Sequence, residues 1–456
     1  MIADDSAKQA GQQAIQEHSE EVSQVRIDNP GSAVAENADE AEEFIKRGDL
    51  KMDCKDYEGA IKDYDKALEL NPNDAYVYLS RGNAKFILND ETGAIGDMDT
   101  VIELEPACTE AYYLRGLYKN RFREFDNAIG DFDKALSLDP NNASIYVYRG
   151  DAKRKNGDIE GAMDDYCKAI ELDPVYAPSY LSRAFANDEL GHYLEAINDY
   201  DEYIKLEPDD DYAYDRRGNS KESMGDYDDA IKDYDKAIEL RPDYVCAYQA
   251  HADVSYRIGQ YSNAIKDYDR LIDLDPDNAG AYYYARGSSK AFLPDIDGAI
   301  RDYDKAIELD PGFTMAYFSR GDLKCRTGHY EEAIKDFDRA IELDPNDSLF
   351  YFFRGKSKYF MGDYVGSIED YDRVIDLEPE DVKSLFNRGV SKTRLFNFEG
   401  AIQDFDKCIE LNPDDSLAFL RRGFIRIMLD DMEGARHDIE KAVELNPSQS
   451  FDTKED

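Results

Sequence analysis

Histidine and cysteine are the side chains best suited to metal or nucleophilic chemistry, and this 456-residue chain has five of the first and six of the second. His18, His192, His251, His329 and His437 are scattered, and none belongs to an HExxH or sits near a CxxC. Cys54, Cys108, Cys167, Cys246, Cys325 and Cys408 are too far apart to form a CxxC pair or a disulfide-rich framework. They read as reduced thiols. Cys408 occupies a position where equivalent stretches carry Ala, which predicts burial rather than nucleophilic work. The acidic turns "LDPDN" and "EPDDDYAYD" could offer carboxylates to calcium, but they lack the spacing and glycine of an EF-hand loop. Capping and turn formation explain them. No glycine-rich phosphate loop is present. Catalytic, metal and cofactor sites are therefore expected to be absent.

The charge balance bounds the partners. Lys and Arg total 55 against 100 Asp and Glu, a formal net charge of -45. Such a surface repels nucleic-acid phosphates and anionic lipid headgroups and favours basic or neutral proteins. The N-terminus, "MIADDSAKQAG", has no basic segment followed by an apolar run, so no signal peptide is expected. No stretch approaches the roughly 20 apolar residues a membrane helix needs. A cytoplasmic location is the expectation.

The elements that carry these residues repeat. The phrase "AIKDYDKAIELRPD" at 230–243 returns in close variants at Ala60, Ala299 and Ala333. Prolines set the register: Pro72, Pro106, Pro140, Pro174, Pro208, Pro242 and Pro276 stand 34 apart, Pro311 follows after 35, and Pro345, Pro379, Pro413 and Pro447 resume the spacing. Twelve units thus cover 41–449, and a strict period of this length marks an array. Each unit reads as two helices. Tyr227, Ala230, Ile231, Tyr234, Ala237, Ile238 and Leu240 form one apolar stripe at helical spacing. Gly157, Gly191, Gly225, Gly259, Gly328 and Gly362 suit a left-handed turn between the two helices. Proline after the second helix cannot continue it. In seven units Asp or Asn follows two residues later, as at Asp74, Asn142 and Asp210, where it can cap the next helix. Small residues recur on both helices, such as Gly82, Gly116 and Ala184 on the first and Ala60, Ala94 and Ala128 on the second, with only Ser367 departing. An aromatic such as Tyr64, Phe132, Tyr166 or Tyr200 follows four residues later and fills the space beside the contact.

An aromatic–x3–Gly in the first helix, Ala–x3–aromatic–x2–Ala in the second, and a closing Pro resemble the tetratricopeptide repeat family. The resemblance covers 41–449. It implies an all-α fold, a right-handed superhelical α-solenoid of antiparallel helix pairs. Its concave face, lined by the first helices, would bind peptide segments of partner proteins.

The chain departs from that family's pattern. The seventh position of each unit, usually Leu, is Arg in eleven units, among them Arg47, Arg81, Arg115 and Arg320, and His251 in repeat 7. The eleventh, usually aromatic, is Lys in nine, including Lys51, Lys85, Lys221 and Lys358. The twenty-third is Asp in all twelve, from Asp63 to Asp438. Two cations one helical turn apart, facing a carboxylate on the returning helix, predict an ion-pair ladder. The competing reading, a cationic track for phosphates, would be neutralised by that carboxylate. Read as exposed pairs, each contributes only about 0–1 kcal/mol. A gap is expected at repeat 7, where His251 and Ser255 replace the cations and Asp267 would turn to Arg286, to another unit's cation or to solvent.

Positions that the family turns to the groove, carried over here, change character along the chain. Repeats 3 and 4 offer Asn120, Arg121, Arg154 and Lys155, and repeats 5 and 6 offer Asp188, Glu189, Asp215 and Glu222. Repeats 8–12 offer Tyr284, Phe292, Phe318, Phe352, Tyr359, Phe360, Phe386, Phe424, Ile427 and Met428. Phe318, Phe352 and Phe386 divide between core and groove, whereas exposed apolar residues at the other positions suggest a binding surface. The carboxylate clamp of some family members survives only as Asn387 and Arg421, with Phe352 where the clamp needs Lys.

The leading function is a protein-interaction scaffold for basic or apolar peptide segments. An RNA-binding repeat protein of the pentatricopeptide kind is opposed by the proline-ended period and the acidity. A regulatory subunit of a larger enzyme complex is the other alternative. Residues 1–40 are expected to be a disordered acidic and polar segment, and 450–456 a polar tail. Repeat 8 should be irregular, with one extra residue in "AGAYYYARG" and Pro294 at the inter-helix turn. The last helix should leave some of Met432, Ile439, Val443 and Leu445 uncovered, open to a partner, to a second copy or to fraying.

Overall fold

The computed structural model describes residues 35–446. The expected disorder of the N-terminal segment up to residue 34, and the tail at 450–456, lie outside the described residues. Twenty-four α-helices and one 3₁₀ turn follow one another, with no strand among the described residues. They form two compact units, one ending at Leu240 with repeats 1–6 and one beginning at Arg241 with repeats 7–12. The first helix, Ala35–Asp53, begins six residues ahead of the unit boundary read at 41. No described helix is long and apolar enough to cross a membrane.

Within each unit the helices pack as hairpins stacked side by side, each second helix also packing against the first helix that follows. The expected aromatic anchors are buried: Tyr64, Phe132, Tyr166, Tyr200 and Tyr234 lie between helices beside fully buried alanines. A Cβ on Gly218 would stand 2.6 Å from Tyr234 Cε1, so a side chain there would expel the ring. Small residue and large ring are thus one packing solution divided between two helices.

In about half of the repeats Asp or Asn caps a helix on each side of the inter-helix turn. Asp74, Asn142, Asp210, Asp347, Asp381 and Asp415 accept bonds from first-turn N–H groups of the first helices. The second helices carry their own caps, not foreseen from the sequence: Asp56, Asp90, Asp158, Asp295, Asp363, Asn397 and Asp431 each accept from a Gly N–H three residues on. Between the helices, eleven of the twelve turns pass through the left-handed region at the fifteenth position. Six do so with Gly. Lys55, Asn89, Arg123, Phe396 and Asp430 do so without it.

Repeat 8 departs as expected. Pro294 takes the fifteenth position and has no positive φ. The extra residue is absorbed by a 3₁₀ turn at Pro276–Asn278, and Asn278 makes no side-chain cap, unlike its six counterparts.

The ladder is present and its carboxylates are buried, not exposed as first read. Arg286 shows the pattern. Its Nε and Nη2 donate to the two oxygens of Asp302 at 2.9 and 2.6 Å, and its Nη1 reaches Asp269 of the preceding repeat at 2.5 Å. Lys290 completes the site, 2.8 Å from Asp302. Arg47, Arg81, Arg115, Arg149, Arg183, Arg217, Arg320, Arg354, Arg388 and Arg422 grip their aspartates in the same fork. The fork matches guanidinium to carboxylate geometry, which lysine alone could not do.

The gap expected at repeat 7 is not there. His251 Nδ1 lies 2.6 Å from Asp267 Oδ2, and both residues are buried. A histidine ring is shorter than an arginine, yet it reaches the carboxylate, beside the buried Ala252 and Ala264.

Removing a buried carboxylate strands two cations, whereas removing an outer one leaves an arginine still held by its buried aspartate, as Arg149 is by Asp165. Asp131→Ala is therefore expected to cost about 3 kcal/mol in denaturant unfolding, and Asp133→Ala, half-exposed, under about 1 kcal/mol. The Arg47 fork, with Lys51, holds the Asp63 carboxyl down at about 2. A depressed pKa contributes stability above the ordinary carboxylate range that is lost as pH falls through about 2. Carbon NMR should show Asp63 titrating near that value, and Arg47→Ala should return it toward about 4.

Candidate functional site

Expected aromatic residues line two depressions of the second unit, Phe292 in one and Phe352 with Phe386 in the other. Phe292 stacks on Tyr261, with ring centroids 4.7 Å apart and planes 7° from parallel. Tyr256 meets both edge-on, and Asp253 and Arg257 complete an open depression of about 550 Å³. Phe352 and Phe386 line a second depression of about 210 Å³ with Val382, Lys383, Asn387, Asp415 and Leu417. This one draws on repeats 10, 11 and 12. Tyr256, Tyr261, Val382, Lys383 and Leu417 were not foreseen as site residues. Tyr261 belongs to a second helix, and the signal for it was its alignment beside the aromatic of the next repeat. Tyr330 repeats the relation, stacking on Phe360 at 5.5 Å.

Phe318, Phe352 and Phe386 are half-buried, one edge on the core. Phe318 touches Phe337, Phe350 and Phe353; Phe352 touches Tyr371; and Phe386 touches Phe405. Tyr284 is likewise half-buried, against Tyr303 and Phe313. Tyr359 accepts a hydrogen bond from Arg394 Nε at 3.1 Å. Phe292 and Phe360 are open, 61 % and 53 % exposed, and Phe424, Ile427 and Met428 are exposed on the last first helix.

The polar residues of the first unit are mostly engaged with one another. Arg121 lies 4.8 Å over the Phe86 ring and donates to Asn89 at 2.8 Å. Arg154 pairs with Glu189 across one repeat. Asp188 accepts from Tyr200 at 2.7 Å and from Ser220 at 2.6 Å, and its burial raises its pKa. Glu222 accepts from Tyr234 at 3.1 Å. Asp215 is only 1 % exposed and paired with Arg216 at 2.6 Å, so it belongs to the core and not to an open groove. Asn120 is buried too, while Lys155 is exposed. Asn120 Oδ1 and Arg154 Nε are buried without a hydrogen-bond partner among the described residues. The clamp fragment stays apart from any cation set: Asn387 donates to the Lys383 carbonyl of its own helix at 2.8 Å.

Of the other chemistry-bearing residues, Cys408 is buried and its thiol pushed up to about 12 by that burial, which keeps it from acting as a nucleophile. No group of three or more metal-ligating side chains is found among the described residues.

Sequence models of the tetratricopeptide repeat match residues 89–143, 113–177, 177–210, 212–244, 280–313, 315–347 and 382–415. A further model described as TPR repeat matches 48–89 and 252–285. No curated protein sequence matches the chain. Among solved structures, a MamA protein is 28 % identical over 37 % of this chain and 92 % of its own, with a TM-score of 0.34. Yeast Tom70 is 22 % identical over 89 % and 92 % at 0.35. YrrB, titled a TPR protein with an unusual peptide-binding site, is 24 % identical over 41 % and 96 % at 0.34.

Exposed and buried rings of one repeat should part company on mutation. Phe360→Ser is expected to leave unfolding free energy within about 1 kcal/mol of the parent. Phe350→Ala, at a site 1 % exposed, should cost about 3–5 kcal/mol. Chemical denaturation of both variants checks this.

Proposed function

The chain belongs to the tetratricopeptide repeat family, and from that premise we propose that it is a non-catalytic protein-interaction scaffold that holds extended peptide segments against its first helices. One observation carries this reading: the depression lined by Phe352, Val382, Phe386 and Leu417, with Lys383, Asn387 and Asp415 at its rim. Apolar walls with a few polar groups suit an inserted apolar side chain whose neighbouring main chain is hydrogen-bonded at the rim. The polar face of the first unit is a second contact region. The acidic surface, at -45, favours segments that are basic between their apolar anchors.

A cytoplasmic location, and self-pairing through the last repeat, stay separate proposals on which this reading does not depend. An RNA ligand is opposed by the charge and by the absence of a free cationic track, since the ladder's arginines are committed to aspartates.

The test is a peptide array probed with the full chain, the strongest binders then being measured in solution. Phe352→Ala with Phe386→Ala is expected to weaken those binders at least about tenfold, near 1.4 kcal/mol, with the helical signal retained. Unchanged affinity in the double variant would remove the depression from the function.

A further inference from the structure

The inter-helix turns of repeats 10, 11 and 12 expose apolar side chains that neither the core nor the groove uses. They are Met361, Val365, Leu395, Phe396, Leu429 and Met432, 40–80 % exposed in round figures, with Phe396 at 77 %. They fill the fourteenth, fifteenth, seventeenth and eighteenth positions, from the end of the first helix to the start of the second. In repeats 1–9 the same positions expose only Leu88, Leu190, Leu194 and Met224 among large apolar residues described. Three consecutive turns thus form one apolar edge. The hydrogen bond from Arg394 to Tyr359 ties the turn of repeat 11 to that of repeat 10.

Phe396 singles this edge out. Its φ is 61°, at the position where six repeats use Gly and four use Lys, Asn, Arg or Asp. A bulky residue in the left-handed region is uncommon and strained. Among the described residues the ring's aromatic neighbour is Phe398, edge-on at 6.0 Å, and most of the ring faces solvent. Neither packing nor turn formation accounts for a phenylalanine here.

We infer that this edge docks a basic amphipathic helix of a partner protein. The charge says which partner. The three turns carry Asp363, Glu399, Asp430, Asp431 and Glu433, all exposed; of the cations beside them, Arg394 is engaged with Tyr359, and Arg426 with Asp438 and, at 3.6 Å, with Asp431. An apolar stripe between carboxylates complements a helix with an apolar face and lysine or arginine flanks. The spacing says helix. Stacked helices lie about 8–10 Å apart, and residues seven apart on a helix rise about 10.5 Å. One apolar face can therefore meet successive turns. A second copy of this chain is disfavoured, because two acidic rims would be brought together by molecules of charge -45.

The test uses the full chain and a fluorescein-labelled model peptide of Leu and Lys in amphipathic order, with a scrambled peptide of equal composition to report charge alone. Anisotropy at physiological salt should show the ordered peptide bound at least about tenfold more tightly than the scrambled one. Leu395→Ser with Phe396→Gly should abolish that discrimination, while Phe352→Ala in the groove should leave it intact. The single variant Phe396→Gly should raise the thermal midpoint while weakening the peptide, a combination that a structural role for the ring does not give. Discrimination that survives the double variant overturns the inference, as does its loss in Phe352→Ala. Sedimentation that finds a parental dimer dissociated by the double variant overturns it in favour of self-association.

Discussion

The interaction on which the structure depends is the aspartate buried on every second helix. A lone carboxylate at that depth would be neutralised or expelled. In most repeats it is paired with a guanidinium fork from the first helix and with an ammonium one turn further along, as Asp302 is with Arg286 and Lys290. The same arginine reaches back to an aspartate of the preceding repeat, as Arg286 does to Asp269. One side chain thus fixes the hairpin and its stacking on the neighbour. Leucine, usual in the family at this position, could bury as much surface but would specify neither distance nor direction.

The ladder also determines what is left for recognition. It uses the seventh, eleventh, twenty-third and twenty-fifth positions, and the packing uses the eighth, twentieth and twenty-fourth. The fifth, ninth and twelfth to fifteenth lie outside the ladder, although some, such as Asp215 and Phe318, still pack on the core and the fifteenth sets the turn. They are the positions whose chemistry changes from repeat to repeat, from Arg121 and Arg154 in the first unit to Phe352, Phe386 and Phe396 in the second. In an array each repeat touches only its neighbours, so such changes need no compensation elsewhere.

The fold was legible because period and helical spacing are one-dimensional signals, and a strict period of prolines, small residues and aromatics states them twelve times. The site was legible in its outline only. Position in the repeat gave the side of the helix but not the depth, so Asp215 read as groove-facing although it lies buried against Arg216. It also gave no measure of reach. That a histidine could stand in for an arginine at Asp267 depends on how closely two helices approach, which no spacing states. The Asp–x–x–Gly caps of the second helices were present in the text of the sequence but hidden inside a refrain already assigned to packing.

The turns show how an array can acquire a surface at little structural risk. The fifteenth position needs the left-handed conformation in eleven repeats, and glycine satisfies it at no steric cost. Any other residue there trades some stability for a side chain at the outermost point of the hairpin. Lys55, Asn89, Arg123 and Asp430 make that trade with groups that water solvates well. Phe396 makes it with a ring that water does not, beside Leu395 and within reach of a neighbouring turn that adds Leu429 and Met432. A strained backbone and an unburied aromatic are each unfavourable alone, and they persist together at a point where the ladder beneath, Arg388 on Asp404 with Lys392 alongside, is complete. The hairpin is therefore stable enough to tolerate the turn it carries, and the selective reason for the ring has to be sought in what it contacts outside the chain.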